Sequence, residues 1–214
     1  MRCAHALRLA RDVSEAADAV LEGWLPAGAN YRATFANPGN AEDSIVLLSD
    51  GLFYVDIDLK DSKLGEPLGL HDSCNGFSCP ERVESAFSRS TFDSIRANLV
   101  GFQLLFNGGQ GLSFDDLIAS EGVPEVSKRI NSQLTDSLDL LDSIDTSLFD
   151  AAAAINSDGV ALDCINSAAN PETIQTIPAC ALHGYIKRLT DSMRTDFIAT
   201  VNLDLPERAQ SDND

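Results

Sequence analysis

The chain has 214 residues, 44% hydrophobic and 22% charged, enough length and apolar content for a sizeable core. Its 15 Lys and Arg stand against 33 Asp and Glu, a formal charge of −18. Such a surface repels nucleic-acid phosphates and anionic lipid and suits cationic ligands, metal ions included. No apolar run approaches the roughly 18 residues that a membrane span requires. The opening MRCAHALRLARDVSEAADAV has no unbroken apolar centre and reads as an amphipathic helix rather than a signal peptide. The chain is therefore expected either to be cytosolic or to lack its natural start.

Taken in order, residues 2–24 form a first helix, because Leu9, Val13, Ala16, Val20 and Trp24 recur every three or four residues. Pro26, Gly28 and Pro38-Gly39 mark the break after it. Asn40 is a suitable cap for a second helix, with Ile45, Leu48, Leu52, Val55 and Leu59 on its inner face. Phe53, Val55, Ile57 and Leu59 also alternate with polar residues, the strand period. The longer helical pattern is preferred, since it starts earlier. Residues 61–88 read as a long loop punctuated by Gly65, Pro67, Gly69, Gly76 and Pro80.

Ser90 or Thr91 then caps a third helix facing inward through Phe92, Ile95, Leu99, Phe102 and Phe106, and Asn107-Gly108-Gly109 ends it. A short helix covers Phe114–Ala119. Pro124 opens the next, lined by Val126, Ile130, Leu134, Leu138, Leu141 and Ile144. Phe149–Ile155 is a short apolar helix, and 156–170 reads as a polar loop carrying Cys164. Pro171 is expected to open the last long helical region, with Pro178 kinking it. Strand signals are nearly absent, so the expected class is all-α, an up-down helical bundle over 1–205 with a polar tail at 206–214.

The loop at 61–88 collects the most polar chemistry between two core-forming segments. Cys74 and Cys79 lie in it, and Cys164 and Cys180 flank a second Asn/Ser/Pro-rich stretch. Two local disulfides with Cys3 left over fit an oxidising compartment; five unpaired thiols are the alternative. The C-x4-C spacing is loose for zinc and no second pair follows. His71 with Asp72, helped by Glu66 or Glu84, is a candidate metal set for iron or another divalent ion. An exposed loop histidine beside acidic neighbours is its competing reading. His5 and His183 read as surface or boundary histidines on amphipathic helices. Asp56, Asp58 and Asp61 fail as a calcium loop, because Lys60 takes a liganding position and Asp61 stands where glycine is needed. The Asn107–Gly111 run lacks the Lys-Ser/Thr of a phosphate loop, and Gly111-Leu112-Ser113 lacks the closing glycine of a nucleophile elbow.

Three stretches in this order are similar to the C-terminal half of imelysin-like proteins, a bacterial cell-envelope family also called insulin-cleaving-metalloproteinase-like. RCAHALRLARDVSEAADAVLEGW resembles the helix after the family's first half. LFYVDIDLKDSKLGEPLG resembles its helix leading into a Lys-Leu…Pro loop. VESAFSRSTFDSIRANLVGFQLLFNG resembles its Glu-Ser…Ser helix start, and the ending SDND sits where the family has an acidic tail. The resemblance implies a fold of two related helical bundles, of which this chain holds one and a little more. It implies export to the periplasm or cell envelope, a role in iron uptake, and iron-uptake components as partners.

The family's signature Gly-x-His-x-x-Glu lies in the first half. Gly69-Leu70-His71 offers only its start, since Cys74 stands in place of the glutamate. A missing N-terminal half is the matching expectation. Lys63, Glu84 and Arg89 belong to the resembling motifs and flank the loop, so they are candidate ligand contacts; ion pairing of the loop to the helix start is the competing role. A periplasmic iron-associated binding or uptake component leads. A metallopeptidase and a non-catalytic helical scaffold are the alternatives, and no catalytic residue is assigned.

Overall fold

The computed structural model describes residues 2–210, and every regular element in them is helical. In order these are α1 (Arg2–Trp24), α2 (Tyr31–Phe35), α3 (Ala41–Leu52), a π-helix (Val55–Gly65) running into the single turn α4 (Glu66–Leu68), α5 (Thr91–Asn107), α6 (Phe114–Ser120), α7 (Pro124–Asp142), α8 (Leu148–Ala154), α9 (Asp158–Ala169) and α10 (Pro178–Ser192). A second π-helical turn (Met193–Phe197) leads from α10 into α11 (Ile198–Val201), and α12 (Glu207–Gln210) follows. The all-α bundle expected from the periodicity is the fold. The described residues form two compact units that divide between Ser49 and Asp50.

In the larger unit α10 is the central element, packed on α7, α9 and the π-helix, while α5 packs on α7, α6 and the π-helix. Leu182, Ile186, Leu189 and Met193 are buried along α10 and its continuation, against Ile130 and Leu134 of α7 and Leu59 and Leu64 of the π-helix. Phe197 closes one end of this core, with Phe114 edge-on at 5.2 Å and Phe106 and Phe53 at 6.1 and 6.5 Å. Such aromatic packing adds to the area-proportional hydrophobic stabilisation.

The smaller unit is different. Trp24, Tyr31 and Phe35 make a three-ring contact joining α1 to α2, with Trp24 and Tyr31 edge-to-face at 5.0 Å. Every residue of α1 from Cys3 to Glu22 is exposed.

Four boundaries depart from the sequence reading. The second helix is interrupted by a single turn residue, Phe53, then continues as the π-helix and stays helical to Leu68, so the loop is shorter than expected. Asn40 ends a 3-10 turn (Pro38–Asn40) instead of capping α3, and its side-chain amide donates to the Thr34 carbonyl. The segment expected as a loop at 156–170 is α9, opened at Ser157 and Asp158. Pro178 opens α10 at its first turn, where its missing N–H costs nothing, instead of kinking a helix begun at Pro171.

Two devices hold α9 on α10. The Cys164–Cys180 disulfide joins them with Cα atoms 5.3 Å apart. At Gly184 a β-carbon would sit 2.0 Å from the Ala168 carbonyl oxygen, so only glycine permits this approach. Of the expected polar tail, Pro206 and Ala209 are buried around α12. Residues 211–214, with the acidic ending, lie outside the described residues.

Candidate functional site

The π-helix carries the site. Its buried residues come in groups: Val55 and Asp56, then Leu59, Lys60 and Asp61, then Leu64 and Gly65. A spacing of four to five fits a helix bonded i→i+5, in which residues four and five along return to the same side. That geometry explains the central cluster. Lys60 Nζ lies 3.5 Å from Asp56 Oδ1 and 3.0 Å from Asp61 Oδ1, and its side chain is only 1% exposed. Arg194, on the second π-helical turn, reaches Asp56 Oδ2 at 3.2 Å. Two buried carboxylates thus meet two cations across two π-helical segments. Desolvating such charges costs several kcal/mol per ion, and pairing repays it only when the geometry is good. π-Helical turns are frequent at functional sites, where the distortion aims particular side chains.

Gly65, at the end of the π-helix, lies close to two histidines. A β-carbon there would lie 3.4 Å from His183 Nε2 and 3.4 Å from His71 Cβ. His183 is buried on α10, not a boundary residue as its helix pattern suggested. His71 is half-buried, and its Nδ1 lies 3.0 Å from the Ser73 hydroxyl and accepts from the Ser73 backbone N–H at 3.2 Å. His5 is exposed on α1, in the smaller unit. Asp72 is exposed. Glu66 is engaged by Arg82 at 3.0 Å. Among the described residues no group of three or more His, Cys, Asp or Glu is placed to hold a metal ion.

Of the candidate ligand contacts, the structure joins two and separates the third. Lys63 Nζ donates to Asn98 Oδ1 at 3.0 Å, pairs with Glu84 Oε2 at 3.3 Å and lies 5.6 Å from the centre of the Tyr54 ring. Burial alone would lower the Lys63 ammonium, but the hydrogen bonds and charges of Tyr54 and Glu84 outweigh it and raise its pKa above the ordinary value. Arg89 turns elsewhere, to Asp150 and Ser147, with its guanidinium 4.4 Å from the Phe149 ring centre. It holds a left-handed backbone at φ 60° to do so. It ties the segment before α5 to the start of α8, whereas the ion-pairing alternative placed Arg89 with Glu84 between the loop and the start of α5.

The loop itself is tethered. Cys74 and Cys79 form the expected local disulfide, Cα atoms 5.9 Å apart. The Ser78 hydroxyl lies 2.7 Å from the Ala152 carbonyl and 3.0 Å from that of Ile155, at the end of α8. Cys3 is the free, exposed cysteine.

Sequence reasoning missed Asp56, Lys60, Asp61, His183 and Arg194 as a set. The apolar spacing Val55–Leu59–Leu64, four then five, was the available signal of a widened helix.

These features define an all-α, disulfide-bonded bundle protein built around a charged π-helical centre, and no helix among the described residues is long and apolar enough to cross a membrane. The family model described as Imelysin, a peptidase family, matches residues 2–172. The chain belongs to the imelysin family. No curated protein and no solved structure matches it.

Proposed function

We propose that the chain is a cell-envelope binding component of imelysin type, acting in the periplasm in association with iron uptake. The observation that carries the reading is that His183 Nε2 and His71 Cβ both come close to Gly65, at the end of the π-helix that holds the charged centre. Imidazole nitrogen is a good donor for iron and for zinc, and carboxylates complete such sets. The exposed Asp72 and the overall charge of −18 supply a field that gathers cations around the loop. Lys63 and Glu84 are the polar contacts proposed at the loop's other side. Two disulfides support an oxidising compartment, where such bonds persist.

The test is calorimetric titration of the purified, metal-free chain with ferrous ion, chelate-buffered ferric ion and zinc. Saturable one-to-one binding in the micromolar range, weakened at least tenfold in His71→Ala, is the expected result. A folded protein that binds none of them overturns the assignment of the site to this chain.

The family's peptidase label keeps a second reading open, a metallopeptidase. That reaction needs a metal-held, polarised water beside a general base. The described residues contain no three-donor group for it. Cleavage of casein or insulin by the purified chain, abolished by a chelator, would favour this reading over binding alone.

A further inference from the structure

The two disulfides sit in opposite surroundings. In the bridge between α9 and α10, Cys164 is 1% exposed and Cys180 is fully buried. Cys164 Sγ lies in the interior, 3.8 Å from the Leu68 carbonyl oxygen. The Cys74–Cys79 bridge lies in the loop. Cys79 is buried, but Cys74 is only half-buried, and its Sγ lies 3.9 Å from the Gly76 carbonyl oxygen in an exposed part of the loop. Asn75, Gly76 and Phe77, which follow it, are all exposed.

Thiol–disulfide exchange requires a thiolate to reach one sulfur of the bridge, so access decides which bridge reacts. The loop bridge offers Cys74 Sγ to solvent in the folded protein. The bridge between α9 and α10 offers neither sulfur until the helices part.

The ends of the loop are held without the bridge. The Leu70 N–H donates to the Gly65 carbonyl at 2.9 Å, and the Cys79 N–H donates to the Pro67 carbonyl at 2.9 Å. The Ser78 hydroxyl bonds the Ala152 and Ile155 carbonyls at the end of α8. Gly69, at φ 74°, packs so closely on the Phe77 backbone that a β-carbon would sit 2.3 Å from the Phe77 carbonyl oxygen. Opening the bridge therefore leaves both ends of the loop in place. The part it frees is 71–76, where the Ser73 hydroxyl and N–H meet His71 Nδ1 within the same segment.

We propose that the Cys74–Cys79 bridge is a reduction site for a dithiol, and that its opening releases the segment 71–76, which carries His71, while the bundle stays intact. One thiolate of the dithiol attacks Cys74 Sγ. The bond to Cys79 breaks, and its electron pair leaves on Cys79 Sγ, which takes up a proton. The second thiol of the dithiol, its proton lost to solvent, attacks its own partner sulfur in the mixed disulfide. Cys74 Sγ leaves as a thiolate, and the dithiol departs as a disulfide, oxidised by the two electrons that the bridge gains. The site stands whether or not His71 holds a metal ion.

Timed reduction of the whole, folded chain with dithiothreitol tests it, with alkylation at intervals and peptide mass as the readout. Cys3, free and exposed, is labelled before any reductant is added and marks complete labelling. Cys74 and Cys79 should then be labelled together, at least about tenfold faster than Cys164 and Cys180, because the buried pair reacts only through local opening of α9 from α10. Far-ultraviolet circular dichroism should not change at that stage. Hydrogen exchange should rise in the peptide spanning 71–76 and stay unchanged in α9 and α10. Equal rates for the two bridges, or a loop bridge that resists dithiothreitol until urea unfolds the chain, would overturn the reduction site. Selective reduction with unchanged exchange at 71–76 would overturn the release of the segment.

Discussion

α1 and the π-helix are opposites. α1 has the cleaner apolar stripe, yet all of its residues from Cys3 to Glu22 are exposed. The π-helix has five charged residues in eleven, and it buries three of them, Asp56, Lys60 and Asp61. Periodicity therefore reports which face of a helix is apolar, not whether anything comes to lie over it. Burial is decided by partners. The π-helix is enclosed by α5 and α10, so even its charges must be accommodated inside, and they are accommodated as pairs.

The sharpest way to break this contrast is to remove the buried cation. Lys60→Met keeps much of the side-chain volume but strips Asp56 and Asp61 of their shared ammonium. Removing one partner from a buried ionic cluster typically costs about 3–5 kcal/mol, and Arg194, which stays on Asp56, sets Lys60→Met towards the lower end. The same change in α1, Arg11→Met, should stay within about 0.5 kcal/mol, as exposed substitutions do. Urea unfolding followed by far-ultraviolet circular dichroism compares the two. Equal, small effects would mean that the Lys60 cluster is hydrated and not a dry ionic core.

The disulfides come next in size. Loop-closure entropy gives about 3 kcal/mol for the 16-residue separation of Cys164 and Cys180, and about 2 kcal/mol for the 5-residue separation of Cys74 and Cys79. The longer bridge also fixes α9 on α10. Replacing both of its cysteines by alanine should therefore destabilise the bundle more than the same change in the loop. The loop pair should act mainly on ligand affinity. A reversed order would place the loop tether, not the helix contact, at the centre of the larger unit's stability.

Much of the fold was legible because single faces repeat cleanly: α5 ends at Gly108 and α7 starts at Pro124 as their residues require. α9 was not. Its sequence, DGVALDCINSAA, is too short and too rich in small polar residues to show a face. It is held by the disulfide and by the glycine contact at Gly184, which are tertiary facts. The two disulfides were legible, although Cys164 was expected in a loop and lies in a helix.

The site was legible only in part. Lys63 and Glu84 do meet, but Lys60 looked like one more polar residue in an alternating run. Only the widened turn, which returns i+4 and i+5 to one side, shows why it is inside. His183 sits among Ala181, Leu182 and Ile186 on a helix buried on most sides, where spacing alone does not separate a boundary residue from an interior one.

α1 offers a smaller effect that sharpens the same contrast. Val13→Asp places a charge in the middle of an apolar stripe, a change that would be severe in a core. On an exposed face it should leave stability within about 0.5 kcal/mol. Trp24, the protein's one tryptophan, lies in the smaller unit, so its fluorescence follows α1 and α2 separately from the bundle. A large loss of stability would show that the stripe is covered within the chain.

The smallest effect is electrostatic and sits at the surface. Asp150 is held below the usual carboxylate range, first by the Ser147 hydroxyl and then by Arg89. A carboxylate whose folded pKa is depressed contributes stability that is present above its unfolded value near 4 and is lost as pH falls through the lower folded value. Arg89→Ala should therefore differ from the parent protein above about pH 5 and converge on it as pH falls through the depressed value and Asp150 protonates, while the Ser147 hydroxyl keeps its share of the lowering in both. Arg89 also has a left-handed backbone, a cost that glycine does not carry. Arg89→Gly loses the same pair but sheds that cost, so it should be the more stable of the two variants at every pH. If alanine and glycine behave alike, the loop has moved out of the left-handed region once the pair is gone, and the Arg89–Asp150 contact is what holds it there.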